Sequence, residues 1–173
     1  FTIFFVFSLI ASRRFLFTGS NFLPGGLAQS ISDFYGGNLW MSYVWKDLLS
    51  RGVLPIGSFW LPSLLLGIPA TIYMGGFNLA QFPLFIMFLV TNDPVLSLKI
   101  FLFLSYFLSC LSMYYYAHVL TGSRVACLVS SVAYSFASFR IQEITFGHTE
   151  LIWGFIFIPV SYTHLTLPTK RIV

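Results

Sequence analysis

The chain reads as an all-α integral membrane protein, a helical bundle of several spans, and three observations carry that reading. Charged residues make up 8% of the sequence and hydrophobic residues 57%, whereas a soluble domain carries about 25% charge. Most of the charges fall between long apolar runs instead of recurring along them. Some of those runs approach or exceed the roughly 20 residues a helix needs to cross a bilayer.

Taken in order, residues 1–11 are apolar and begin without Met. No basic segment precedes them and no small-residue cleavage site follows, so they read as the end of a first span and not as a signal peptide. An internal piece of a longer reading frame is therefore expected. Residues 12–92 form a long loop. Within it, at 38–51, Leu39, Trp40, Tyr43, Val44 and Leu48 recur at helical spacing. Lys46, Asp47, Ser50 and Arg51 fill the opposite face and Gly52 is a natural stop, which predicts an amphipathic helix lying on the membrane surface. Trp40, Trp45 and Trp60 suit the headgroup level.

The stretch that follows is punctuated by Pro55, Gly57, Pro62, Gly67, Pro69, Gly75 and Gly76. Backbone that irregular is tolerated at membrane depth only when buried in protein or lining a cavity. Residues 81–90 are apolar but too short to cross alone, so a re-entrant or interfacial helix is expected there. Residues 93–120 are the clearest span, with Pro94 near its start and Lys99 its one charge past the first residue. The turn Thr121-Gly122-Ser123 joins it to a second span at 124–140, making an antiparallel hairpin. Another span begins at 151–159. Cys110 and Cys127 fall inside spans without disulfide or metal spacing and read as small packing residues.

Residues 160–173 resemble translated sequencing adapter, and they are set aside as a non-native tail. Without Lys170 and Arg171, seven basic residues face five acidic ones, so the formal charge of +4 falls to +2. That balance gives no argument for a nucleic-acid partner. The long first loop has little vote under the positive-inside rule, so composition leaves orientation open.

Two polar groups stand out. Asp33 lies in Ser30-Ile31-Ser32-Asp33-Phe34-Tyr35-Gly36-Gly37, just ahead of the amphipathic helix. It is either an N-cap or a carboxylate able to take a proton from a hydroxyl or bind a metal. The second group runs from Arg140 to Glu150 between two spans and includes Glu143 and His148. Arg140 and Glu143 stand three apart and would pair if the helix continues. His148 and Glu150 follow Gly147 at an expected helix start that Thr149 would cap, where a nearby Arg makes a phosphate site plausible; His148 as a plain interfacial residue is the other reading. One pass in (93–120) and one pass back (124–140) return the second group to the side of the first, provided that 81–90 does not cross.

The order of features resembles the YfhO family of bacterial membrane proteins and their archaeal relatives, within the GT-C glycosyltransferase superfamily. The residues concerned are Trp45-Lys46-Asp47-Leu48-Leu49-Ser50-Arg51-Gly52-Val53-Leu54-Pro55, Phe59-Trp60, and Leu66-Gly67-Ile68-Pro69. The long span ending Tyr114-Tyr115-Tyr116-Ala117-His118 and the later Phe146-Gly147-His148 complete them. The resemblance covers most of 30–159. It implies a GT-C-like many-span helical fold in the cell membrane of a bacterium or archaeon, with the first loop outside and the Gly122 turn inside. It further implies sugar transfer from a polyprenyl-phosphate-linked donor to an envelope glycan, polymer or protein acceptor. Asp33 matches the first-loop acid and His148 the Gly-His after the third span, so these two are the expected catalytic residues. Arg140, Glu143, Glu150, Tyr35 and Trp60 are the expected substrate-binding residues. The family's Asn-Pro after the Trp is Trp60-Leu61-Pro62 here, and a single Asp replaces an acidic pair. No cofactor is indicated with certainty, and a divalent metal is the one candidate. The alternative is a non-catalytic membrane protein for lipid-linked glycan transport or envelope assembly.

Overall fold

A computed structural model describes residues 2–17, 38–53, 60–61, 68–69 and 81–166. Among them the architecture is helical, apart from one antiparallel pairing of β1 (Trp60–Leu61) with β2 (Ile68–Pro69), in which Trp60 faces Pro69. The helices are α1 (Thr2–Leu16), α2 (Trp40–Ser50), α3 (Phe82–Thr91), α4 (Pro94–Thr121), α5 (Arg124–Ser135), α6 (Ser138–Phe146), α7 (Thr149–Gly154) and α8 (Phe157–Thr166).

α4 is the axis on which the others pack. Asp93 starts it with extended backbone, its carboxylate accepting the N–H groups of Val95 at 2.9 Å and Leu96 at 3.1 Å. Pro94 follows in the first turn, where its missing N–H costs nothing. Gly122 ends the helix at φ +65°, its N–H returning to the His118 carbonyl at 3.0 Å. That left-handed stop is one that glycine adopts without strain. Ser123 then caps α5 by accepting from Ala126 N–H at 3.5 Å. Two residues therefore turn the chain through a helical hairpin.

The hairpin seam is built from small residues. Ser105, Ser109, Cys110 and Ser112 of α4, and Cys127, Ser131 and Ser135 of α5, are all buried. Cys110 Sγ donates to Ser135 Oγ at 3.1 Å across the seam. The hydroxyls of Ser105, Ser109 and Ser131 donate to carbonyls one turn back on their own helices, which satisfies them without a partner across the interface. Small side chains let apolar helices approach closely.

Two helical stretches are long and apolar enough to cross a membrane, Pro94–Thr121 and Arg124–Phe146. The second is only 22% buried over its apolar window. Val125 and Val129 are among its exposed residues. α3 is ten residues long, about 15 Å at 1.5 Å per residue, half of a hydrocarbon core of about 30 Å. It ends on Asn92 at φ +51° and folds back on the first half of α4. Leu84, Phe85 and Phe88 there join Val95, Leu98, Phe101 and Leu102 in one core. α1 lies along α4 through Phe4 against Tyr114 (5.4 Å between centroids) and Phe5 against Phe103 (5.5 Å).

Several elements differ from the sequence expectation. α1 runs through to Leu16 instead of stopping at residue 11. α2 occupies the expected stretch, but its apolar face packs on protein. Met41 and Trp45 are in the core, and the Trp45 ring meets Phe85 edge-on at 5.1 Å. Trp45 is 2% exposed whereas Tyr43, assigned to the apolar face, is 53% exposed. The face is thus rotated toward positions 38, 41, 42 and 45, and Trp45 packs on protein. Leu39 takes the position before α2, with no side-chain cap. The span expected at 124–140 breaks at Phe136–Ala137 with no proline or glycine there, then continues as α6 to Phe146. The polar group at 140–146 is therefore helix, not connector. Past α7, α8 continues through 157–166 and sets Tyr162 beside Tyr116 at 6.3 Å.

Candidate functional site

The turn that ends α6 gathers polar side chains that bond across the fold. Gly147 takes φ +84°, and both its N–H and that of His148 donate to the Glu143 carbonyl, at 2.9 and 3.1 Å. This left-handed exit lets the chain reverse into α7. It also swings the imidazole of His148 back onto its own helix, where Nδ1 lies 2.5 Å from Glu143 Oε2. Glu143 is buried and the His148 side chain is 40% exposed. The carboxylate is thus shielded while part of the ring reaches the surface.

Two remote elements are bonded to this turn. Asn38, just before α2, donates from Nδ2 to the Gly147 carbonyl at 2.9 Å and accepts at Oδ1 from the Thr149 hydroxyl at 3.0 Å. Gln81, just before α3, donates from Nε2 to Glu150 Oε1 at 3.1 Å. Asn38, Gln81 and Thr149 are all buried. Three chain segments therefore converge on one polar end of an otherwise apolar bundle. Thr149 spends its hydroxyl on Asn38 and does not cap α7, whose first turn has no side-chain cap. With six residues, α7 is too short to act as a phosphate-binding helix terminus, so side chains must do any anion binding here.

Arg140 is not part of this group. It does not pair with Glu143 despite the three-residue spacing, because its side chain turns inward toward α4. It is fully buried, with Nη2 donating to Ser105 Oγ at 3.3 Å. Its guanidinium carbon lies 4.9 Å from the Tyr106 ring centroid and 5.4 Å from that of Phe155. Nε and Nη1 have no hydrogen-bond partner among the described residues. A substrate-contacting role for Arg140 does not follow from this placement. Glu143 is likewise engaged with His148 and not presented to a ligand.

Asp33 and Tyr35 lie outside the described residues, and of Trp60 only the backbone is described. Among the described residues no three His, Cys, Asp or Glu side chains converge to hold a metal ion. His148 Nδ1 is engaged by Glu143, and the Glu150 carboxylate accepts from Gln81.

Sequence reasoning missed Asn38 and Gln81. Their one signal is that each is an amide standing immediately before a strongly apolar helix, where a solvated loop residue and a buried crosslink look alike. Chemically, the site offers an imidazole backed by a buried carboxylate, suited to proton exchange or to hydrogen-bonding an anion. No protein-family model, curated protein or solved structure matches the chain.

Proposed function

We propose that this chain is the site-bearing part of a multi-pass cell-membrane glycosyltransferase of the GT-C type. It moves a sugar from a polyprenyl-phosphate donor to an envelope glycan, polymer or protein acceptor on the extracytoplasmic side. The observation that carries the reading is the pair of hydrogen bonds that join Asn38 to the turn: its Nδ2 donates to the Gly147 carbonyl and its Oδ1 accepts from the Thr149 hydroxyl. Asp33 precedes Asn38 by five positions. At about 3.6 Å per residue, its Cα stays within about 18 Å of one already bonded to the His148 turn. That short reach, together with the parity of the passes, supports placing the first-loop acid and the Gly-His turn at one end of the bundle. α3 fits that parity, being too short to cross.

In this reading Asp33 accepts the proton of the acceptor hydroxyl as its oxygen forms a bond to the sugar's anomeric carbon. The bond from that carbon to the phosphate oxygen breaks, and polyprenyl phosphate leaves carrying the electron pair. His148 hydrogen-bonds the departing phosphate, where negative charge accumulates. Arg140 has no part in the step. A single loop carboxylate suffices, and no metal is invoked.

The test is turnover by the full-length protein in lipid nanodiscs, since the part alone is expected to be inactive, with polyprenyl-phosphate glucose, mannose and galactose as donors and cell-envelope extract as acceptor. Phosphorus NMR separates the donor phosphodiester from the released phosphomonoester. We expect release with at least one donor, and its loss in Asp33→Asn. Undiminished release in Asp33→Asn would remove the assignment. Donor that binds without release would favour lipid-linked glycan transport instead.

A further inference from the structure

The geometry points to Glu143 as the positioning residue of His148, fixing its proton on Nδ1 so that Nε2 is the nitrogen that acts on a lipid-linked phosphate. The proposal rests on the transferase reading for its substrate but not for its geometry. Glu143 holds His148 twice. Its carbonyl takes the His148 N–H at 3.1 Å and its Oε2 sits 2.5 Å from Nδ1. Main chain and side chain of one residue thus fix both the position of the Cα and the rotation of the ring.

An ionised carboxylate can only accept, so with Glu143 in that form the proton between the two groups belongs to the imidazole and sits on Nδ1. That holds whether the ring is neutral or protonated. Exchange with substrate therefore runs through Nε2: as imidazolium it donates Nε2–H to a phosphate oxygen, and as neutral imidazole it accepts there. Buried Glu143 and partly exposed His148 divide the labour in the way a carboxylate–imidazole pair needs, one fixing the ring and the other meeting the ligand. Gly147 makes the arrangement feasible, because at φ +84° an L side chain would strain the turn that brings residue 148 back over residue 143. Phe146, with its ring 5.8 Å from that of His148, limits rotation on another side.

The experiment is nitrogen NMR of the protein in nanodiscs, labelled with 15N-histidine and carrying His118→Gln and His164→Gln so that His148 alone reports. Long-range proton–nitrogen correlations of the neutral ring identify the tautomer. We expect the proton on Nδ1, and its transfer to Nε2 in Glu143→Leu, an apolar replacement that keeps the buried position filled. A wild-type ring with its proton on Nε2 overturns the proposal, and so does a tautomer unchanged by Glu143→Leu. Turnover on polyprenyl-phosphate glucose, or whichever of the three donors is released, supplies the second arm. Glu143→Leu should lower kcat by roughly 100-fold with little change in KM, and an unchanged kcat overturns the positioning role. Should wild-type protein turn over none of the donors while the Nδ1 tautomer is found, the transferase reading falls and the positioning of His148 stands.

Discussion

Asn38 bonds to residues 109 and 111 positions away with a single amide. Truncating it leaves the Gly147 carbonyl and the Thr149 hydroxyl without those partners in a buried place. The cost of such unsatisfied groups is about 1–3 kcal/mol. We therefore predict that Asn38→Ala lowers the stability measured by detergent-induced unfolding by that amount. Combining it with Thr149→Val should cost less than the sum of the two, because the second change removes a group the first has already orphaned. Full additivity would mean that the amide does not tie the segments together.

Arg140 gives the opposite sign. Burying a charge without an ionic partner costs several kcal/mol. Its return among the described residues is one long hydrogen bond to Ser105 and two aromatic faces, with cation–π contacts worth about 2 kcal/mol when desolvated. Desolvation wins on these magnitudes. Arg140→Met, similar in length and apolar, should raise the unfolding midpoint, while Arg140→Lys, which loses the planar stacking, should not. A clear loss of stability in Arg140→Met would show that an anion outside the described residues partners the guanidinium. The inward turn of Arg140 was not legible in the sequence, because three-residue spacing to Glu143 is necessary for an ion pair and does not choose between rotamers. Glu143 had a second suitor in His148, which only the left-handed turn at Gly147 brings into reach.

Among elements, the α4–α5 hairpin was the most legible. Asp93-Pro94 at one end and Gly122-Ser123 at the other are local signals whose physics is complete within a few residues: a cap, a fixed φ, a left-handed stop. α2 was legible as a helix with a polar edge, where Asp47 and Arg51 pair at 2.8 Å in solvent, a contact worth a few tenths of a kcal/mol. Its rotation was not, because Trp, Tyr, Met and Val all satisfy an apolar stripe and the partner decides which are buried. That partner is α3, itself underrated as an interfacial piece. Trp45→Ala should therefore cost about 3–5 kcal/mol, whereas Tyr43→Ala should change stability by less than about 0.5 kcal/mol. If α2 lay on lipid with Trp45 at the headgroups, the two would cost nearly the same and spin-labelled lipid would quench Trp45. The break at Phe136–Ala137 carried no Gly or Pro signal, and the structure offers no local cause for it.

At the scale of the whole molecule, α4 spans 28 residues, about 42 Å, more than a hydrocarbon core of about 30 Å. The excess leaves room for α2, α3 and the 147–150 turn to gather beside one end of it, with the Gly122 turn at the other. The composition made the long apolar helices legible. The amide crosslinks from Asn38 and Gln81 to the 147–150 turn were not, since they depend on which side chains meet. With Cys110→Ala and Cys127→Ala as background, Ser50→Cys and Ser123→Cys should react oppositely with a membrane-impermeant maleimide on intact cells. Ser50→Cys should label and Ser123→Cys should not. Labelling of both, or of the second alone, would reverse or abolish the proposed orientation.

The central claim is that the first-loop acid and the Gly-His turn share one site. In the same cysteine-free background, Asp33→Cys with His148→Cys tests it most directly, using a short bis-maleimide on the protein in nanodiscs and mass spectrometry of the linked peptides. The account predicts efficient linkage of this pair, and none of Asp33→Cys with Ser123→Cys. Failure of the first pair to link, while each thiol still reacts singly with a maleimide, would contradict it.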